Sequence, residues 1–113
     1  MLIFNLKKQW FNKIKSGEKT HEYREVKPYW ESRLGNEMGM EENCYYAYLV
    51  FNNKDVENIK NTMCCLKCGY PKPTEKDKIL YGKVKSIRVI NGKNTDLAID
   101  KDVYDIEFEL VGE

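Results

Sequence analysis

The chain has 113 residues, 42% of them hydrophobic, and its 19 basic and 18 acidic side chains give a net charge of +1. This length predicts one domain, residues 1–113, and the composition excludes intrinsic disorder, which goes with low hydrophobicity and high net charge. No apolar run is long enough for a membrane span, and the N-terminus lacks the pattern of a signal peptide. We therefore expect a cytoplasmic protein without membrane contact.

The charges are unevenly distributed along the chain. Residues 7–33 contain eight Lys or Arg and four acids, whereas residues 34–113 contain eleven against fourteen. Because the local field steers an anionic ligand, we expect phosphate to bind near the basic N-terminal part. The alternative is that these lysines form an ordinary solvated helix face.

The N-terminal part predicts a strand, a helix and a second strand. Apolar residues alternate over 2–6, which is typical of a β-strand, and they form one stripe over 7–16, which is typical of an amphipathic helix. Gly17 lies where a left-handed helix cap would fall. A strand over 19–26 follows.

A second helix is predicted to begin at Pro28, which suits the first turn of a helix. Trp30 and Leu34 are four residues apart and therefore share one side of it, and Gly35 is expected to end it. The polar residues 36–43 predict a loop.

The rest of the chain predicts three strands and a long loop. Residues 44–51 are apolar on both faces and predict a central strand, and residues 54–78 predict a loop because they are rich in charge, proline and cysteine. Residues 79–90 predict a strand with a bulge near 82–86. A turn at 91–93 and a short helical turn from Thr95 to Ile99 then precede the last strand, 103–111, in which apolar and acidic residues alternate.

These elements predict an α+β fold with about five to six strands and two helices near the N-terminus. A sheet of this size, with helices beside it, is typical of a small curved sheet or β-barrel.

The segment 16–30 concentrates the polar chemistry of the chain. Since alternate residues of a strand share a face, Thr20, Glu22 and Arg24 are expected on one face. The other face is predicted to carry His21, Tyr23 and Glu25. Buried charge is costly as core filling, so the face with Glu22 and Arg24 is expected to line a cleft.

The pattern Gly17-x-Lys19-x-x-Glu22-x-Arg24 resembles the signature of the ASCH domains, a family similar to the RNA-binding PUA domains. The resemblance continues through 27–30, the sequence KPYW, and covers the whole chain. It implies a PUA-like β-barrel with a cleft beside the motif that accepts RNA or a nucleotide-like ligand.

The resemblance also implies two possible roles for Lys19. Family members of assigned chemistry include an N4-acetylcytidine amidohydrolase and ribonucleases, and in the amidohydrolase the lysine matching Lys19 is implicated as catalytic. That enzyme has Thr at the position of Glu22 and a further Glu in a later helix, for which this chain has no clear counterpart. A carboxylate near a lysine favours the charged ammonium, whereas a lysine base or nucleophile must be neutral for part of the time.

We therefore favour a charged network of Lys19, Glu22 and Arg24 that binds a ligand over a catalytic centre. One alternative is a hydrolase acting on a modified nucleoside or on RNA, with Lys19 as the reactive residue and Glu22 as general acid or base. The other alternative is that these charges only stabilise the turn and the strand. Lys27 and Tyr29 are expected to add a phosphate contact and a stacking surface. The single histidine, His21, is predicted to be structural or exposed rather than a general base.

The cysteines present a separate possibility. Cys65 and Cys68 have the spacing of one zinc knuckle, but a second CxxC pair is absent, and Cys44, Cys64 or His21 would have to complete the site. The prediction is accordingly no metal and no cofactor, with idle or buried thiols in a loop. A protein-interaction adaptor that exposes an apolar patch over 63–70 is a third functional hypothesis.

Overall fold

The computed structural model of the chain describes residues 1–37, 56–57 and 62–112. These residues form an α+β fold in which a curled, mixed sheet makes a half-barrel and two helices pack beside it. The predicted strand 44–51 lies outside the described residues, and so does most of the predicted loop 36–43.

In the described part of the chain, six strands form one sheet, with the order β1-β4-β5-β6-β2 and with β3 paired to β5 outside this path. The pair β1–β4 is parallel, and the other pairs are antiparallel. The strands are β1 (Leu2–Leu6), β2 (His21–Glu25), β3 (Val56–Glu57), β4 (Met63–Cys68), β5 (Ile79–Asn91) and β6 (Asp102–Leu110), and the helices are α1 (Lys8–Lys15) and α2 (Pro28–Glu37).

The predicted order of strand, helix and strand at the N-terminus is confirmed. Helix α1 buries Phe11 and Ile14 on its apolar stripe and packs against β4. Gly17 follows the helix with a φ of 84°, a conformation that favours glycine, and its amide donates to the Ile14 carbonyl. This reversal sends the chain directly into β2.

Helix α2 continues through Gly35 to Glu37, so the prediction that Gly35 ends it is wrong. Gly35 is buried next to Leu34, and a glycine inside a helix costs only about 1 kcal/mol relative to alanine. The N-terminal amine of Met1 forms an ion pair with Glu37. The packing of α2 against β1 and the ion pair of Glu37 favour the continuation of the helix by two residues beyond Gly35.

The prediction of a continuous loop over 54–78 is also wrong, because β3 and β4 lie within it. Strand β4 is an interior strand between β1 and β5. Its residues alternate in the way strands require, since Cys64, Leu66 and Cys68 belong to or pack against the core. Two cysteines here occupy positions that valine or isoleucine take in other strands, which concealed the pattern.

The C-terminal strands follow the prediction closely. Strand β5 has an irregularity between Val84 and Ser86 where it pairs with β6, within the predicted bulge. The predicted cap at Thr95 is present, since its hydroxyl accepts a hydrogen bond from the Leu97 amide. The helical turn through Ile99 is wrong, because the segment forms a single turn closed by the Ala98 amide and the Thr95 carbonyl.

The sheet curls until its two outer strands approach each other. Strands β1 and β2 stand at opposite ends of the strand order, yet the Arg24 guanidinium carbon is 5.0 Å from the centroid of the Phe4 ring. Trp30 of α2 stacks on Phe4 with 5.4 Å between the ring centroids, which places it against the core. Among the described residues, no helix has the length and apolar character needed to cross a membrane.

Candidate functional site

The predicted division of β2 into two faces is confirmed by its pairing with β6. Glu22 is opposite Ile106, and Arg24 is opposite Tyr104, both of which belong to the core. Glu22 and Arg24 therefore lie on the concave face of the half-barrel. His21 and Tyr23 project from the convex face.

Glu22 is at the centre of a buried network of charges. Its Oε1 atom is 2.9 Å from Arg24 Nη1 and 3.7 Å from Lys19 Nζ, and it accepts a hydrogen bond of 3.1 Å from the backbone amide of Tyr23. The side chains of Lys19 and Glu22 are 9% and 5% exposed. The predicted network of Lys19, Glu22 and Arg24 is thus present in the structure.

Arg24 is held in place by more than its carboxylate partner. Its Nη1 atom donates to the carbonyl oxygen of Tyr23 at 2.8 Å. Its guanidinium also lies 5.0 Å from the Phe4 ring centroid and 5.2 Å from that of Trp30. These contacts fix the direction of the guanidinium, which is a condition for specific hydrogen bonding to a ligand.

Lys19 is surrounded by two acids and two aromatic rings. Its ammonium forms an ion pair with Asp96 and lies 4.9 Å from the Tyr23 ring centroid and 5.7 Å from that of Trp10. Sequence reasoning missed Asp96, because nothing in the sequence relates this turn between β5 and β6 to residue 19. Only the pairing of β6 with β2 brings the two together.

The network separates two cavities. We call the first, about 420 Å³, the Glu22 cavity; its lining includes Asn5, Leu6, Lys7, Trp10, Glu22, Arg24, Asp96 and Leu97. We call the second, about 260 Å³, the His21 cavity; its lining includes Trp10, Lys13, Glu18, Lys19, Thr20, His21, Tyr23 and Asp96. The size of the Glu22 cavity is within the range of small-molecule sites.

A second charged cluster lies on the convex face. Asp105 is 2% exposed, and its two oxygens contact His21 Nδ1 at 2.7 Å and Arg88 Nε at 2.9 Å. His21 Nε2 is 3.6 Å from Glu107. The sequence places Asp105 among the outward-facing acids of the last strand, and it gives no sign that Arg88 and His21 bury it.

The environment of Tyr23 keeps its hydroxyl protonated. Burial raises the pKa of Tyr23 above its usual value of 10.0, and the nearby carboxylates of Asp105 and Asp96 raise it further. The Tyr23 ring therefore gives the His21 cavity a neutral aromatic wall at physiological pH.

The other predicted ligand-binding residues lie away from the two cavities. Lys27 is exposed and pairs with Glu25, and this hydrogen bond lowers the pKa of the Glu25 carboxyl. Tyr29 is 57% exposed, with its ring edge against Trp30. Neither Lys27 nor Tyr29 lines the Glu22 or His21 cavity, and Gly17 lines a third, adjoining cavity. Their binding roles stay predictions.

The described cysteines are arranged as strand residues rather than as a knuckle. Cys65 and Cys68 are three apart in β4, so their side chains point to opposite faces of the sheet. Burial raises the pKa of Cys64 to about 12 and raises that of Cys65. Within the described ranges, no group of three or more His, Cys, Asp or Glu side chains is placed to bind a metal ion. Cys44 lies outside those ranges.

The segment 63–70 does not present a continuous apolar surface. Cys64, Cys65 and Leu66 are buried, and Tyr70 is the large hydrophobic residue of this segment that is strongly exposed, at 91%. The patch required by the adaptor hypothesis is therefore reduced to a single ring.

Comparison with known proteins identified no relative. The chain matches no family model, no curated protein and no solved structure.

Proposed function

We propose that this chain is an ASCH-type, PUA-like module that binds RNA or a nucleotide-like ligand in the cleft around Lys19, Glu22 and Arg24. The observation that supports it most is the buried network of these three side chains beside the Glu22 cavity. A buried charge network costs desolvation energy, and replacement by apolar residues is often neutral or stabilising. A site that keeps such charges next to a cavity is a candidate for ligand recognition.

The chemistry of the cleft is compatible with a nucleotide. Trp10 provides an aromatic surface that lines both cavities, and aromatic rings are the usual stacking partners of unpaired bases. Helix α1 carries exposed lysines beyond its apolar stripe, and these are suited to contacts with a phosphate backbone.

The hydrolase alternative is less favoured by the contacts of Lys19. Its ammonium is paired with Asp96 on one side and lies 3.7 Å from Glu22 on the other. Negative charges beside an ammonium favour its charged form. This arrangement suits hydrogen-bond donation to a ligand better than nucleophilic attack.

Binding of a fluorescein-labelled single-stranded RNA of mixed sequence, measured by anisotropy at several salt concentrations, tests the proposal. We expect micromolar binding that weakens as salt rises, because contacts to phosphates release counterions. Lys19→Met should weaken it, whereas Lys78→Met, which removes an exposed lysine paired with Glu75, should not.

Absence of salt-dependent binding to RNA, together with absence of binding to free nucleosides, would refute the proposal. Incubation with N4-acetylcytidine and with RNA, followed by chromatography, tests the hydrolase alternative. Turnover that Lys19→Met abolishes would favour the enzyme over the binding module.

A further inference from the structure

The Glu22 carboxylate has an unused hydrogen-bond acceptor. Its Oε1 atom receives the contacts from Arg24, Lys19 and the Tyr23 amide, whereas Oε2 is buried without a hydrogen-bond partner among the described residues. An ionised carboxylate has about four acceptor positions. A buried charged group with an unsatisfied position loses more than a neutral one, so a ligand that reaches this carboxylate from the Glu22 cavity and donates a hydrogen bond gains affinity.

The charges that line the Glu22 cavity are balanced. Lys7 and Arg24 stand against Glu22 and Asp96 in its lining. The two carboxylates would repel a phosphate placed there. A neutral ring can instead accept hydrogen bonds from Lys7 or Arg24 and donate hydrogen bonds to Glu22 or Asp96. The surplus positive charge is outside, on the exposed lysines of α1.

We infer that the Glu22 cavity takes a nucleobase with an exocyclic amino group, and that Glu22 accepts a hydrogen bond from this amino group. The inference rests on the proposed function and specifies its ligand. Glu22 is one of the residues that line this cavity, so a base inside it is within reach of the carboxylate. A carboxylate that accepts from the amino group of cytosine is a known mode of base recognition.

Bases without an amino group fit this acceptor less well. The ring N–H of uracil lies between two carbonyl oxygens, and a carboxylate that approaches it meets their lone pairs. An exocyclic amino group projects from the ring and presents two hydrogens. The Glu22 cavity should therefore bind adenine, cytosine or guanine derivatives in preference to uracil.

Pairs of nucleosides that differ only in the amino group test this inference. Calorimetry would compare adenosine with purine riboside, and cytidine with 2-pyrimidinone riboside. Loss of a hydrogen bond to a charged acceptor should weaken binding by about tenfold or more. Glu22→Gln should bring the ratio of the two affinities towards one, and Glu109→Gln, whose side chain is 68% exposed, should leave it unchanged.

The ratio of the two affinities is the decisive measurement, because damage to the fold weakens the binding of both nucleosides of a pair equally. Equal affinities within each pair, or a ratio that survives Glu22→Gln, would overturn the inference while the proposed function stands. Binding of RNA without binding of any nucleoside would also overturn the inference and leave the proposed function standing. If neither RNA nor any of the four nucleosides binds, the proposed function itself fails.

Discussion

Arg24→Ala should destabilise the protein by about 3 kcal/mol, because it leaves Glu22 buried with its nearest counter-charge removed. The pair has an N–O distance of 2.9 Å and side chains that are 18% and 5% exposed. Removal of one partner from a buried pair costs about 3–5 kcal/mol, and the partial exposure of Arg24 and the nearby Lys19 ammonium place the value at the lower end. Loss of the contacts with Phe4 and Trp30 adds to it.

Urea denaturation followed by circular dichroism measures this change. If the free energy of unfolding falls by about 1.5 kcal/mol per molar urea, a loss of about 3 kcal/mol lowers the urea midpoint by about 2 M. The double variant Glu22→Leu with Arg24→Met should lose less than Arg24→Ala alone, because no charge is left without a partner. Lys27→Ala, at an exposed ion pair, is the matched control and should leave the midpoint unchanged.

A midpoint shift of less than about 0.7 M for Arg24→Ala, equivalent to about 1 kcal/mol, would refute the reasoning. A double variant that loses the sum of its two single variants would also contradict it, since the two side chains would then be independent.

Three further predictions concern other parts of the fold. Gly92→Ala should cost about 2 kcal/mol in thermal denaturation, because an added Cβ would lie 2.7 Å from Val103 Cγ1; an unchanged melting temperature would contradict the packing. Because burial raises the Cys64 pKa from 9.0 to about 12, its thiolate is scarce at pH 8, and iodoacetamide with peptide mapping should label Cys64 only after unfolding. Since the folded pKa is the higher one, this group's contribution to stability is complete below pH 9 and falls as pH rises towards 12, which urea midpoints across that range would show. Asp105→Asn should cost about 2 kcal/mol in urea denaturation, because the buried carboxylate would lose its charged contacts with His21 Nδ1 and Arg88 Nε, and an unchanged midpoint would assign Asp105 no structural role.

Local patterns in the sequence predicted most of the elements. The alternation over β1, the apolar stripe of α1 and the cap at Gly17 each depend on residues close in the chain, and all are present in the structure. Strand β6 is present too, but its burial does not alternate, because Asp105 is buried between apolar neighbours. Strand β4 was missed because cysteine was treated as a chemical group rather than as a small apolar residue. Once cysteine is counted as apolar, residues 63–66 form a continuous apolar run, which is typical of an interior strand.

The candidate site was predictable only in part. Lys19, Glu22 and Arg24 are close in sequence, so the period of a strand was enough to group Glu22 with Arg24. Asp96 and Asp105 lie more than seventy positions along the chain from Lys19 and His21, the residues that they contact. These contacts depend on the register of β6 against β2. That register follows from the packing of the whole sheet and leaves no local signature.

The pairing of β2 with β6 also determines when the site can form during synthesis. Its edge strand and its charged lysine lie near the N-terminus, whereas the strand that supports them and the turn that supplies Asp96 lie between residues 92 and 110. Strand β1 likewise lacks its parallel partner until β4 has been made. Contacts this distant form late and slow the folding of a chain. A nascent chain that has not passed residue 108 therefore has the motif without the strand that supports it.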